Sequence, residues 1–129
     1  MDEKYYAHWS EDGRKQTVLA HLLCTAMLCA QFAEKFGEKA LGYWAGLLHD
    51  IGKFTQAFQK RLFCGGKKVD HSTAGAWESK AYLPISLCIM GHHSGLPDLG
   101  GRTDKGKPTY FGRMHKAKSG QLEPYDAWK

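Results

Sequence analysis

What this chain lacks narrows it first. No two of its four cysteines, Cys24, Cys29, Cys64 and Cys88, form a Cys-x-x-Cys pair, so the spacing offers neither a zinc knot nor a disulfide frame. Three of them lie in apolar helical runs, and the four read as buried free thiols of a cytoplasmic protein. No stretch holds the roughly 18 uninterrupted apolar residues of a membrane span. The chain opens Met1-Asp2-Glu3-Lys4-Tyr5-Tyr6, which is not the opening of a signal peptide. There is no internal repeat and no low-complexity tract. What remains is 129 residues of ordinary globular composition, enough to bury a core as one domain. The formal net charge of +5 suits a polyanionic partner without selecting one.

The most informative stretch is Leu48-His49-Asp50-Ile51-Gly52-Lys53. It closes an apolar run, Leu41 to Leu48, that reads as a helix. Gly52 is read as the turn residue after it, because glycine accepts backbone angles other residues resist. An imidazole and a carboxylate then project together from a helix end, with Lys53 close by. Both are natural ligands for a transition-metal dication, and the two oxygens of Asp50 could touch two ions. A His-Asp dipeptide alone is common by chance, so the other histidines decide its weight.

Upstream, Tyr5 to Ser10 reads as an aromatic strip packed over the domain edge, with His8 at the rim of a site as the sharper alternative. Glu11-Asp12-Gly13 reads as a turn. From Lys15 to Phe36, apolar residues including Val18, Leu22, Ala26, Ala30 and Ala33 recur at helical spacing, and Gly37 is a stop. Apolar residues nearly encircle the middle of this helix, so burial on most sides is expected. His21 lies in that stretch. A second helix spans Glu38 to Leu48. A third spans Phe54 to Phe63 and carries Lys60 and Arg61, which could face a phosphate backbone or stand in water. Cys64 to Val69 is a loop with Lys67 and Lys68. Asp70-His71-Ser72 precedes small residues, an N-cap signal that puts His71 near the start of a fourth helix ending about Tyr82. A fifth starts at Pro84, runs through Ile85, Leu87, Cys88, Ile89 and Met90, and ends at Gly91-His92-His93-Ser94-Gly95.

From Leu96 the texture changes. Gly95, Gly100, Gly101, Gly106 and Gly112, with Pro97 and Pro108, break any periodicity. Arg102, Lys105, Lys107, Arg113, Lys116 and Lys118 make this the most basic part of the chain. Tyr110, Phe111, Tyr125 and Trp128 add rings. Rings among cations suit single-stranded nucleic acid, since bases stack while cations follow phosphates. A loop docked by its aromatics is the competing reading. The expected fold is all-α: a bundle of about five helices around the histidines over residues 1–95, with an irregular Gly-rich basic segment over 96–129.

His21, His49, His71, His92 and His93 each lie within an apolar helix or at its edge, where one core could gather them. Adjacent histidines ending an apolar helix are costly to bury without partners. In this order the chain resembles the HD metal-dependent phosphohydrolases. Within them it is most similar to the HD nuclease domain of the CRISPR type I nuclease–helicases, or its stand-alone form. The resemblance is carried by Ala7-His8-Trp9-Ser10, Leu19-Ala20-His21-Leu22, Leu48-His49-Asp50-Ile51-Gly52-Lys53 and Phe58-Gln59. It continues in Asp70-His71-Ser72-Thr73-Ala74-Gly75 and Gly91-His92-His93-Ser94-Gly95-Leu96-Pro97-Asp98. The His-Asp-x-Gly-Lys element marks the wider superfamily, and the last two elements point to the CRISPR branch.

The resemblance implies an HD-domain helical bundle acting as a metal-dependent nuclease on single-stranded DNA in CRISPR interference. Its implied partners are a surveillance complex and a helicase domain or subunit, with no membrane. It implies one or two divalent transition metals, manganese, nickel, cobalt or iron, with magnesium disfavoured by an imidazole-rich site. By motif, His21, His49 and Asp50 would hold one metal, and Asp50 would bridge to a second held by His71, His92 and His93. Asp50 and Lys53 would be the catalytic pair, with Lys53 neutralising charge at the scissile phosphate. A surface lysine at a helix C-terminus is the other reading of Lys53. Lys60, Arg61, Lys67, Lys68, Arg102 and Lys105 are the candidate nucleic-acid contacts.

The family normally supplies one more aspartate to the first metal, from a helix well beyond the His-His pair. Asp98, Asp104 and Asp126 remain here, none in a helical apolar neighbourhood. A domain truncated at its C-terminus is expected, with a substituting aspartate or a weak first site as alternatives. Two other functions stay open. One is an HD-type nucleotide or cyclic-nucleotide phosphohydrolase. The other is a non-catalytic fragment that binds nucleic acid or a complex.

Overall fold

A computed structural model describes residues 1–129. The chain begins with an antiparallel hairpin, β1 (Tyr6–Trp9) and β2 (Lys15–Thr17). The aromatic strip is therefore a strand, and residues 15–17 pair with it instead of opening the first helix. The turn between them falls at Glu11–Gly13, closed where Ser10 N–H donates to the Arg14 carbonyl.

Six helices follow. α1 (Val18–Glu34) starts where Thr17 Oγ1 accepts from the Ala20 N–H. The chain reverses at Gly37 into α2 (Lys39–Leu48). A 3-10 turn, Ile51–Lys53, leads to α3 (Gln56–Cys64), capped by Thr55. Next come α4 (Thr73–Glu78), α5 (Leu83–Gly91), α6 (Tyr110–Lys118) and a 3-10 turn at Asp126–Trp128. α4 is shorter than expected, and Asp70 supplies its cap by accepting from the Thr73 N–H.

The fold is the all-α bundle, with two corrections. Residues 96–129 are not wholly irregular, because α6 lies among them. Thr109 Oγ1 caps α6 by accepting from the Gly112 N–H. Gly112, which reads as a breaker, sits where the Lys107 carbonyl leaves no room for a Cβ. Tyr110 is buried, and its hydroxyl shares a hydrogen bond with Ser86 Oγ at 2.8 Å, tying α6 to α5. α1 is the second correction. It buries one face through Val18, Leu22, Ala26, Ala30 and Ala33, while Leu23, Met27, Leu28 and Phe32 are exposed. Its apolar residues encircle it, but only one face meets the rest of the chain. The cysteines are likewise not buried: Cys24, Cys64 and Cys88 are exposed and Cys29 is half-buried, all as free thiols.

The core gathers Val18, Leu22, Leu48, Ile51, Phe54, Ala74, Ile89, Met90 and Tyr110. Leu48, Ile51 and Phe54 come from the short stretch around Asp50, so that segment lies at the centre of the fold. Burying those three side chains contributes about 1.5–3 kcal/mol each and anchors the polar residues between them.

Candidate metal centre

Asp50 follows the end of α2, and its side chain is only 4% exposed. The carboxylate is a hub. Oδ2 faces His21 Nε2 at 2.9 Å, His49 Nε2 at 3.1 Å and Lys53 Nζ at 3.1 Å. Oδ1 faces His92 Nε2 at 3.0 Å and His71 Nε2 at 3.5 Å. His93 joins the second side through its Nε2, 2.7 Å from His71 Nε2. The donors come from α1, the end of α2, the residue just before Ser72 and α4, and the end of α5. They form two groups that share Asp50: His21, His49 and Asp50, and Asp50, His71, His92 and His93. Within each group the donor atoms lie within 4.8 Å of one another.

The backbone sets the tautomer of three of these rings. The Nδ1–H groups of His49, His71 and His92 donate to the carbonyls of Gly46 (2.6 Å), Val69 (3.1 Å) and Ile89 (2.6 Å). Each Nε2 is then turned toward the Asp50 carboxylate, presenting a lone pair to it when the ring is neutral and a proton when it is charged. Lone pairs facing an anion repel unless a proton or a cation lies between them. A divalent metal removes the repulsion for a whole group at once, and backbone-held Nδ1–H is the usual outer support of a metal-binding histidine. Spacing agrees: the Nε2 atoms of His21 and His49 are 3.1 Å apart, close enough for both to reach one ion. The donor set fits divalent metal. Residues 18–110, well over half of the chain, match the HD domain family.

The chain belongs to the HD domain family. No curated protein matches it. The family is one of metal-dependent phosphohydrolases, and the histidine–aspartate cluster of this chain has the donors to hold a divalent metal. No helix of this HD domain is long and apolar enough to cross a membrane.

The electrostatics keep Asp50 ionised and favour neutral His71 and His93, but bias His92 toward its protonated form. Burial would push the Asp50 carboxyl up, but hydrogen bonds from His21, His49 and His92 overcome it and hold the group well below the usual carboxylate range. Burial lowers His71 against the pull of Asp50. Burial and neighbouring His92 lower His93. His92 goes the other way: burial opposes its charged form, but the bonds to Asp50 and the Ile89 carbonyl raise its pKa. His8, on β1, stands edge-on to the His21 ring with centroids 5.0 Å apart, at the rim of the site.

Within the His-Asp-x-Gly-Lys element, Gly52 differs from the sequence reading and Lys53 excludes the alternative given for it. Gly52 is not a left-handed turn glycine. It is needed because the His71 carbonyl occupies the place of a Cβ, so the His71 loop lies directly against the Asp50 turn. Lys53 is not a surface lysine: it is 5% exposed. Its Nζ is paired with Asp50 and sits over the Phe58 ring.

A cleft of about 940 Å³ opens beside His71 and His93, with Phe58, Arg61, Lys68 and Asp98 on its walls. Of the candidate nucleic-acid contacts, Arg61 and Lys68 line it, whereas Lys60, Lys67, Arg102 and Lys105 are exposed and lie outside it. Neither donor group includes Asp98, Asp104 or Asp126. Asp104 accepts from Thr109 Oγ1 and the Gly101 N–H, and Asp126 pairs with Lys129. Sequence reasoning missed Arg113, whose guanidinium reaches Asp70, Ser72, Thr73 and Met90 beside the cluster. No local signal marks it, because its partners lie more than twenty residues away.

Proposed function

We propose that this HD domain hydrolyses phosphodiester bonds of single-stranded DNA, as the nuclease of a CRISPR type I system with a helicase domain or subunit and a surveillance complex as partners. The observation that carries the reading is the cleft of about 940 Å³ at His71 and His93, with Arg61 and Lys68 on its wall. A strand lying in it meets these two cations in the same cleft as His71 and His93. Arg61 is half-buried on that wall and makes no salt bridge, with its Nε buried and without a hydrogen-bond partner. The net charge of +5 favours the same polyanion. The CRISPR branch rests on the Asp70–Gly75 and Gly91–Asp98 motifs, which carry His71, His92 and His93.

When bound, divalent metal polarises a phosphoryl oxygen and lowers the pKa of water. Manganese, nickel, cobalt or iron suit the imidazole-rich donors better than magnesium. The chain's own residues do the positioning. Arg61 and Lys68 hold phosphates flanking the one at the cluster, which fixes the strand before reaction. Lys53 acts through Asp50, pairing with the shared carboxylate at 3.1 Å and holding it in place.

The cleft volume also admits a single nucleotide, which favours nucleotide or cyclic-nucleotide hydrolysis as the second reading. The deciding experiment offers single-stranded DNA, nucleotides and cyclic nucleotides to the protein with manganese, nickel or magnesium, beside Asp50→Ala. DNA degradation that depends on metal and is lost in Asp50→Ala is expected. Nucleotide hydrolysis with DNA left intact would move the domain to the second reading. Metal-loaded protein that binds DNA and hydrolyses nothing would make it a binding module.

A further inference from the structure

We propose that Arg113 is a positioning residue for one of the two donor groups: it ties the loop carrying His71 to the helix end carrying His92 and His93. The proposal rests on the metal-centre reading above. Arg113 stands on α6, which supplies no donor, and its side chain is 18% exposed. Nε donates to Thr73 Oγ1 at 2.9 Å. Nη2 donates to Thr73 Oγ1 at 2.7 Å, Ser72 Oγ at 2.8 Å and Asp70 Oδ1 at 3.3 Å. Nη1 donates to the Met90 carbonyl at 3.1 Å.

Those partners fall on two segments. Asp70, Ser72 and Thr73 bracket His71 on both sides. Met90 precedes His92 and His93 by two and three residues. One planar fork thus spans the gap between the two stretches whose imidazoles must meet, and arginine is the side chain whose donors are fixed in such a fork. The loop end is itself stiffened. Asp70 accepts from the Thr73 N–H at 3.1 Å and Thr73 Oγ1 at 2.7 Å and pairs with Arg113 at 3.3 Å and Lys116 at 3.2 Å. Without the fork, the only backbone anchor of the His71 ring is its Nδ1 bond to Val69, at 3.1 Å. Its Nε2 must stay 2.7 Å from that of His93, so a small slip of either segment opens the group. His21 on α1 and His49 at the end of α2 make no bond to Arg113 and lose no direct support with it.

The competing explanation is that Arg113 merely fastens α6 to the bundle. Tyr110 also fastens α6, through Ser86, without touching a donor-bearing loop. Tyr110→Phe therefore separates the two. The test compares wild type, Arg113→Met, Arg113→Lys and Tyr110→Phe by imidazole NMR signals of the metal-free proteins and by calorimetric manganese titration. In Arg113→Met the ring signals of His71, His92 and His93 should shift or broaden while those of His21 and His49 hold. One manganese-binding step should weaken by about tenfold or more, with the other unchanged. Arg113→Lys, which reaches only one segment, should fall between. Tyr110→Phe should leave rings and metal steps alone. Unchanged rings in folded Arg113→Met, or the same losses in Tyr110→Phe, would overturn the proposal. If Arg113→Met does not fold, Arg113→Lys decides by the same criteria. If wild type binds no manganese, the metal-centre reading fails separately, and the ring signals still decide the role of Arg113.

Discussion

Lys53 Nζ lies 3.1 Å from Asp50 Oδ2, and both side chains are less than one-tenth exposed. The lysine is thus held by the carboxylate at the centre of the cluster. Removing one partner of a buried ion pair strands the other and costs about 3–5 kcal/mol. Asp50→Ala should abolish metal-dependent hydrolysis and lower the unfolding free energy of the metal-free domain by about that amount, measured by urea denaturation. Adding Lys53→Met should restore most of the stability and none of the activity. Hydrolysis by the double variant would sink the role given to Asp50.

Splitting the donors between the two oxygens of Asp50 predicts separable metal binding. His49→Ala should weaken one manganese-binding step and His92→Ala the other, each read by calorimetry. Chelation should lower the thermal midpoint, since an ion at about a hundred times its Kd stabilises by about 2.7 kcal/mol. Loss of the same single step in both variants would mean one ion shared across the cluster.

Gly52 lies against the His71 carbonyl with no room for a methyl group. Gly52→Ala should therefore destabilise the domain by about 1–3 kcal/mol, as overpacking does, and should also weaken manganese binding because His71 is displaced. A urea midpoint equal to wild type would show that the loop yields freely.

Arg61 and Lys68 should act on DNA binding and leave the cluster intact. Arg61→Met and Lys68→Met are each expected to weaken binding of a single-stranded oligonucleotide. Each should reduce the slope of log affinity against log salt by about 0.7, the value for one phosphate contact on a single strand. Manganese binding should not change in either. Salt slopes identical to wild type would take these residues off the strand's path.

Tyr125 supplies a pH dependence away from the centre. Burial, and after it the hydrogen bond its hydroxyl donates to Glu78 Oε1 at 2.8 Å, raises its pKa above the ordinary value of 10.0. The folded state keeps a proton that the unfolded chain loses, so the contribution is complete below about pH 10 and is lost as pH rises beyond it. Tyr125→Phe should flatten that alkaline decline in stability. An unchanged decline would assign it to other groups.

The parts that were legible in the sequence had local signatures. α2 and α5 could be placed almost to the residue, because apolar runs end at marked residues, Leu48 before His49 and Gly91 before His92. The hairpin was not legible, since β1 and β2 are too short for alternation to register. α6 was hidden by glycine and proline around it, and it is held by the Thr109 cap and the buried Tyr110. All-round apolar patterning in α1 overstated its burial, because composition cannot say which face finds a partner.

The sequence by itself determined the chemistry of the donors. It holds five histidines and one aspartate on or beside apolar helices, in an order that pointed to the HD domain family. Only the tertiary structure decided that Asp50 Oδ2 serves His21 and His49 while Oδ1 serves His71 and His92. It also decided that Lys53 is buried against Asp50, that Gly52 makes room for His71, and that Arg113 spans two donor-bearing segments. The physical reason is common to all of these. Each depends on atoms brought within about 3 Å by packing between helices far apart in the chain, and no local pattern of residues encodes that distance.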